Sequence, residues 1–232
     1  MKNTIQWLLG LWLMASVLPA HAQDMEADLK SVQANYQSMK AYHLKMTATI
    51  YKWEDLEKPA GTKVTQIKRK GADLICEMDQ MLMLMTEEYL ITQLKEEAVL
   101  VCNKREASAE SQNLMPDFDE VLGTYDELLF KGYTKGWKCY VLKNQDSPTP
   151  VIEVYLDEKS KLVRQLVYHY KEDIPGLPAK VEIEVAHLAL NANFSKKMFS
   201  PDQYVQISED VVQLKPSHKD YTLILGDGLK YE

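Results

Sequence analysis

The spacing of apolar residues changes once near the start of the chain, and this change predicts the order of the elements. Over residues 27–42 the apolar side chains recur at intervals of three and four, which is typical of the buried face of an amphipathic helix. These side chains are Leu29, Val32, Tyr36 and Met39. Beyond this segment the period falls to two, which indicates strands. The predicted strands lie near residues 44–53, 62–70, 72–78, 81–86, 89–94 and 97–103.

The connections between these strands are short and polar. They include the breaks at 57–61, 86–88 and 95–97. Connections of this length make consecutive strands antiparallel neighbours. The first half of the chain is therefore predicted to form a meander, which is a sheet that grows one strand at a time.

The second half begins with a polar break at 104–116, after which a helix is predicted over 117–130. Asp117 is the predicted cap of this helix. Its apolar stripe consists of Phe118, Val121, Leu122, Tyr125, Leu128 and Leu129. Further strands are predicted near 137–143, 151–157, 161–171, 179–190, 210–214 and 220–226. The expected fold class is α+β, with one large curved antiparallel sheet, an unclosed barrel, covered by two helices.

The first 22 residues are predicted to be a secretory signal. Lys2 precedes an apolar run, and Ala20 and Ala22 have the small-x-small spacing of a cleavage site. An uncleaved anchor is the alternative, although the run from Ile5 to Leu18 is short of the roughly 20 residues that a bilayer span needs. We therefore expect an exported, soluble protein with a single domain over residues 23–232.

The net charge, the spacing of the histidines and the absence of two catalytic motifs make several classes of function less probable for this sequence. The whole chain carries a net charge of −7, and without Lys2 it has 26 basic against 34 acidic residues, which gives −8. Such a charge argues against nucleic acid as a partner. The mature histidines are His43, His169, His187 and His218, and none has metal-ligand spacing. There is no G-x-S-x-G motif and no Gly-rich phosphate loop. The sequence therefore predicts no enzyme, no metal and no cofactor.

Three cysteines remain in the mature chain, Cys76, Cys102 and Cys139. An odd number in an oxidising compartment suggests one bridge with one buried thiol, or no bridge. Only a helical insertion separates the strands that hold Cys102 and Cys139, so these two are the expected pair.

One predicted strand is apolar on both faces. Met81, Met83 and Met85 alternate with Leu82 and Leu84, whereas a strand that covers an ordinary core needs one apolar face. The methionines either fill a packed core or line a cavity for an apolar ligand. Methionine suits the second role because its side chain is unbranched, adaptable and polarizable.

A basic cluster, Lys68, Arg69 and Lys70, ends an earlier strand of an otherwise acidic chain. It is either a solvated strand end or a place where one guanidinium stands at the rim of an apolar pocket. At such a rim a guanidinium can bond polar groups of a ligand or of a lid.

The order of these segments resembles the LolA-like periplasmic lipoprotein carriers and their outer-membrane lipoprotein-sorting relatives. The segments that carry the likeness are "YQSMKAYHLKMTATIY", "IKRKGADLICEM", "EEYLITQLKEEAVLVCNK" and "FSPDQYVQISEDVVQLKPSHKDYTLIL". The resemblance implies an unclosed antiparallel barrel lidded by helices. It also implies an apolar cavity for acyl chains of lipoproteins or lipids, an inner-membrane release complex and an outer-membrane acceptor as partners.

The resemblance also implies site residues. Ile67, Lys68 and Arg69 match the family's apolar-Lys-Arg-Pro pattern, and Lys70 stands where that pattern has proline. Arg69 is thus expected near the cavity and its lid, and residues 117–130 correspond to a lid helix. The ligand-binding residues expected are Met81, Met83, Met85 and Arg69 in a monomeric carrier or binder of acylated ligands. The alternatives are a lipid-sensing regulatory protein that binds a membrane protein, and a structural domain with a filled core.

Overall fold

The computed structural model describes residues 20–105, 118–172 and 174–232, and these form mostly β-sheet with few helices. The α-helices are α1 (Ala20–Ser38) and α2 (Phe118–Thr124). The strands before α2 are β1 (Ala41–Tyr51), β2 (Gly61–Lys70), β3 (Asp73–Met78), β4 (Met81–Met85), β5 (Tyr89–Leu94) and β6 (Val99–Lys104). After α2 follow β7 (Glu127–Thr134), β8 (Trp137–Lys143), β9 (Val151–Asp157), β10 (Leu162–His169) and β11 (Lys180–Leu190). The C-terminal strands are β12 (Val205–Ser208), β13 (Val211–Leu214), β14 (Thr222–Leu225) and β15 (Lys230–Tyr231).

The described chain divides into two compact units. The first contains α1 up to Tyr36, α2 and strands β7 to β10, and the second contains strands β1 to β6 and β11 to β15. In the first unit the strands are antiparallel and run in the order β10-β9-β8-β7.

Helix α1 buries the predicted apolar side chains Leu29, Val32 and Tyr36, together with Met25. Within the first unit, Asp28 of this helix accepts hydrogen bonds from Lys138 and Tyr140 of β8 and from Lys161 in the turn between β9 and β10. The prediction of an amphipathic helix is therefore confirmed, and it begins earlier than the periodicity indicated.

The second unit contains a sheet in the order β14-β6-β5-β4-β3-β2-β1-β11 and a small sheet in the order β12-β13-β15. Its strands from β1 to β6 form the predicted antiparallel meander. The prediction of a wholly antiparallel sheet is wrong, because β14 runs parallel to β6 and β15 runs parallel to β13. Local periodicity could not reveal this, since strand direction depends on the long connection that returns the C-terminal segment to β6.

The predicted helix over 117–130 is wrong beyond its first turns. Within the described residues, α2 ends at Thr124, and Glu127–Thr134 is strand β7. Pairing with β8 decides the outcome, since Phe130 lies opposite Tyr140 and their rings pack at 5.5 Å. Cross-strand contacts of this kind override a helical spacing that is only a few turns long.

The expected disulfide between Cys102 and Cys139 is absent, and all three cysteines are free and buried. Strand β6, which holds Cys102, pairs with β5 and β14. Strand β8, which holds Cys139, pairs with β7 and β9. Closeness in the sequence did not predict the cysteine pairing correctly. Strand β7, a segment that the sequence predicted as helix, pairs with β8.

Residues 1–19, and with them most of the predicted signal sequence, lie outside the described residues. The cleavage point before Gln23 and the single domain over 23–232 remain predictions. Across the part of the chain that is described, no helix combines the length and the apolar character needed to cross a membrane.

Candidate ligand-binding surface

The register of the meander sorts the side chains of the second unit onto two faces. Residues directly opposite one another in antiparallel strands point to the same face. Met81 lies opposite Met78 and Leu94, Met83 lies opposite Cys76 and Thr92, and Met85 lies opposite Leu74 and Leu90. We call the side of β4 that carries Met81, Met83 and Met85 the methionine face, and the side that carries Leu82 and Leu84 the leucine face.

The leucine face is covered by the C-terminal segment. Leu84 is 0% exposed and packs in one cluster with Ile75, Ile91, Leu100 and Cys102 of the neighbouring strands. The covering residues of this cluster are Phe194, Phe199, Tyr204, Val205 and Val212. This face therefore belongs to a closed core.

The leucine face also contains a satisfied polar side chain. Gln93 is buried, and its amide donates a 2.9 Å hydrogen bond to the hydroxyl of Tyr221. A buried amide costs free energy unless it is hydrogen-bonded. This bond fixes the C-terminal segment over the sheet.

The methionine face is covered unevenly. Leu74 and Met85 are buried in a second cluster with Tyr42, Leu44, Ile67 and Cys76. Met81 and Met83 are only half-buried, and Met78 is 37% exposed. The face thus changes from a packed core at one end to an open apolar surface at the other. Met46, which lies opposite Thr65 in the row of Met81, extends the methionine content of the open end.

A cleft of about 330 Å³ lies at this open end. Met78, Met81 and Leu94 provide its apolar lining, and the turns on either side provide polar groups. The backbone N–H of Lys95 donates a 2.8 Å hydrogen bond to the carbonyl oxygen of Gln80, which holds the β5–β6 turn against the β3–β4 turn. The cleft is therefore built on two connected hairpins.

Arg69 lies on the methionine face at its closed end, where it is opposite Tyr42 and Leu74. Its Nε donates a 3.0 Å hydrogen bond to the carbonyl oxygen of Gly71 in the adjacent turn. Lys68 and Lys70 point to the other side of the strand.

The two lysines that flank Arg69 have partners on their own side of the sheet. Lys68 pairs with Glu77 at 3.1 Å. Lys70 donates a 3.1 Å hydrogen bond to the carbonyl oxygen of Phe194. The basic cluster therefore divides, with one guanidinium on the methionine face and two ammonium groups on the leucine face.

Each face contains one buried cysteine in its thiol form. Burial, and to a smaller extent Glu77, raises the pKa of the Cys76 thiol on the methionine face. Burial raises the pKa of Cys102 on the leucine face to about 11. Since the thiolate is the reactive form, both thiols are held in their unreactive state. Over residues 20–105, 118–172 and 174–232, no group of His, Cys, Asp and Glu could hold a metal ion.

The sequence pattern identified the methionine strand, but it did not predict the segment that covers the leucine face. The covering segment, residues 194–229, contains short strands and 3-10 helices with little periodicity. It also missed Met46 and Met78 as members of the methionine face. Their position follows once the register is fixed, because Thr65, Met78 and Met81 stand opposite one another along the hairpins.

The chain resembles known proteins in its fold. No protein-family model and no curated protein sequence matches the chain. An uncharacterized conserved protein from Thermus thermophilus has a similar structure, with a TM-score of 0.51 at 12% identity, over 88% of this chain and 99% of that one. A LolA superfamily protein from Nitrosomonas europaea aligns with a TM-score of 0.36 at 8% identity, over 77% of this chain and 98% of that one. The chain therefore shares its fold with the Thermus thermophilus protein.

The match to a LolA superfamily structure agrees with the resemblance that the sequence showed. MucB in the Pseudomonas aeruginosa MucA/MucB complex aligns with a TM-score of 0.44 at 10% identity, over 83% of this chain and 63% of that one. At such identities the likeness concerns the fold alone, since one fold serves many functions.

Proposed function

We propose that the protein is a periplasmic binder of acylated ligands, and that it acts as a carrier of lipoproteins or lipids without a catalytic step. The main observation in support is the unequal covering of β4. Leu84 is fully buried by the C-terminal segment, whereas on the opposite face Met83 is half-buried at the edge of the second cluster and Met78 is 37% exposed. Contiguous exposed apolar surface on a soluble protein marks a binding surface more often than chance placement does.

The acyl chain is proposed to lie along the open end of the methionine face. Met81 and Met83 would contact the chain, with Met78 and Leu94 beside them in the cleft. Methionine can adapt its three rotatable bonds to chains of irregular shape. Met85 is only 6% exposed, so in this role it would support the floor of the surface from the packed cluster.

Arg69 is proposed to act at the closed end of the same face. Its donor groups would bond carbonyl oxygens of the lid in the empty form and would be released when a ligand enters. The bond from Arg69 Nε to the Gly71 carbonyl oxygen supports this role, because it already fastens a turn beside the face.

A carrier also needs a donor and an acceptor. An inner-membrane release complex and an outer-membrane acceptor are proposed as partners, on the ground of the LolA-like resemblance. A sensor of lipid would use the same binding step and differ in its partner. Affinity capture of membrane proteins by the loaded and the empty chain separates the two roles.

Native mass spectrometry of the chain, purified gently from the envelope fraction of its own host, tests the binding step. We expect a population whose mass exceeds that of the chain by an acylated molecule, and we expect Met83→Glu to lose this population. Met83→Leu, which conserves volume and polarity, should retain it. Wild-type chain recovered only at its own mass would contradict the proposal.

A further inference from the structure

The rim of the cleft at the open end of the methionine face is acidic. Its floor is apolar, with Met78, Met81 and Leu94, whereas its rim contains one cation and several carboxylates. The charged rim residues are Lys63, Asp79, Glu96 and Glu97. Three carboxylates against one ammonium leave a net charge of −2 beside an apolar cleft.

Lys63, the lysine of the cleft lining, already lies near a carboxylate. Lys63 Nζ lies 3.9 Å from Asp79 Oδ2, and both side chains are more than half exposed. Glu96 and Glu97 form no ion pair within the described residues. Glu96 and Glu97 therefore present two carboxylates without an ion pair among the described residues, with Lys95 next to them in the turn, where the polar end of a bound amphiphile would emerge.

The two hairpin turns determine this position. Asp79 takes a left-handed backbone conformation with φ of 44° in the two-residue turn between β3 and β4. The hydrogen bond from the Lys95 N–H to the Gln80 carbonyl oxygen places the β5–β6 turn, with Glu96 and Glu97, beside it. Backbone contacts of the two turns thus keep Asp79, Glu96 and Glu97 at the cleft.

We propose that the cleft selects amphiphiles that carry a positively charged amine at the polar end of an apolar chain. This inference rests on the proposed binding of acyl chains to the methionine face and adds the class of head group. Opposite charge at a rim favours the cationic ligand, and like charge disfavours an anionic one. Because the carboxylates are exposed, the selection is modest and salt reduces it.

Competition with a neutral fluorescent acyl probe provides the test. Dodecylamine, dodecanol and dodecanoate have chains of equal length and differ in the charge of the head group. At low salt we expect dodecylamine to bind about two- to fivefold tighter than dodecanol, which is the range that one exposed charge pair supports. Dodecanoate should bind more weakly than dodecanol, and the three affinities should converge at about 1 M salt, where the screening length is short.

Variants separate this inference from general binding. In the double variant Glu96→Gln with Glu97→Gln, the preference for the amine should disappear while the affinity for dodecanol stays unchanged. Lys63→Gln should strengthen the preference. Glu209→Gln, at an exposed acid in the turn between β12 and β13, is the matched control and should leave it unchanged.

The outcomes distinguish two failures. Equal binding of the three ligands by wild-type protein, or a preference that survives in the double variant, would overturn the selection of cationic amphiphiles while leaving the methionine face as a binding surface. If neither the neutral probe nor any of the three ligands binds, the proposed function itself is wrong.

Discussion

Met83 and Leu84 are neighbours in the chain, yet their side chains lie on opposite faces of the sheet and in different surroundings. Leu84 is fully enclosed by strands β3, β5 and β6 and by the C-terminal segment. Met83 is half-buried and lies between Cys76 and Thr92 of the adjacent strands. One side of β4 thus belongs to a closed core, and the other side changes from a packed cluster at Met85 to a more open surface at Met81, which explains why both faces are apolar.

Asp28 connects α1 to strand β8 within the first unit, and its removal should destabilise the folded state. Its carboxylate accepts bonds of 2.8 Å from Lys138 and 2.7 Å from Tyr140. Asp28→Asn should lower the free energy of unfolding by about 1–3 kcal/mol, because the amide keeps only one acceptor oxygen and lacks the negative charge that pairs with Lys138 and Lys161. Glu26→Gln, in an exposed pair with Lys30 on the same helix, should change it by less than about 0.5 kcal/mol. Urea unfolding of the two variants checks this, and equal effects would contradict the role of Asp28.

The same carboxylate predicts a pH dependence. Burial acts to raise the pKa of Asp28, but hydrogen bonds from Lys138, Tyr140 and Lys161 outweigh it and bring the pKa below 3.8. A carboxyl group with a lowered pKa in the folded state contributes stability above its unfolded pKa and loses it as the pH falls through the folded value. The stability difference between wild type and Asp28→Asn should be full near neutral pH and should shrink below about pH 4. A difference that grows on acidification would contradict this assignment.

Arg69 is predicted to control release of the ligand. Arg69→Leu removes the bond to Gly71 and adds apolar surface beside the methionine face. Loaded protein should then transfer a fluorescent acyl probe to acceptor vesicles more slowly than wild type does. Lys68→Leu is the matched control, because Lys68 points to the other face and pairs with Glu77. Equal transfer rates for wild type and both variants would show that Arg69 is an ordinary strand-end charge.

The three cysteines should behave as buried thiols. Burial raises the pKa of Cys139 as well as those of Cys76 and Cys102, and its neighbour Tyr155 opposes this effect for Cys139. A thiol reagent should label almost nothing in the native protein and all three cysteines after denaturation. Peptide mapping without reductant should find no bridge. A bridge between Cys102 and Cys139 in folded protein would contradict the structure.

Gly226 follows β14 at a point of close approach to β6. A Cβ atom at this position would clash with the side chain of Asn103, and the Gly226 N–H donates a 2.9 Å hydrogen bond to the Cys102 carbonyl oxygen. Gly226→Ala should therefore destabilise the protein by at most about 1 kcal/mol, the low end of the cost of overpacking, because the atom that clashes is the end of a half-buried side chain that can turn away. Combining it with Asn103→Ala should restore part of this loss, as a double-mutant cycle would show. Strictly additive effects would contradict the contact.

The sequence predicted the meander well because its signals are local. Alternating apolar residues and short polar turns determine both the strands and their antiparallel pairing, and β4, β5, β8 and β9 lie where the pattern indicates. The parallel direction of β14 and the whole of strand β7 were missed for a common reason. Both depend on pairing with β6 and β8, and such partners leave little trace in a short segment.

The candidate site was predictable in part. The doubly apolar strand drew attention to Met81, Met83 and Met85, and the resemblance drew attention to Arg69. Which face is open could not be read from the sequence, because it depends on where the weakly periodic C-terminal segment folds back. The cleft beside Met81 depends in turn on the contact between two hairpin turns, which joins Gln80 to Lys95 across the sheet.

Titration of a neutral fluorescent acyl probe into wild type, Met83→Leu, Met83→Glu and Leu84→Glu, with thermal unfolding of each, tests the central claim most directly. Wild type and Met83→Leu should bind the probe saturably and with similar affinity. Met83→Glu should remain folded and bind at least about tenfold more weakly, because an ionised carboxylate against an acyl chain costs several kcal/mol. Leu84→Glu should lose the folded state itself. A Met83→Glu variant that stays folded and binds the probe as tightly as wild type would contradict the claim that the methionine face holds the ligand.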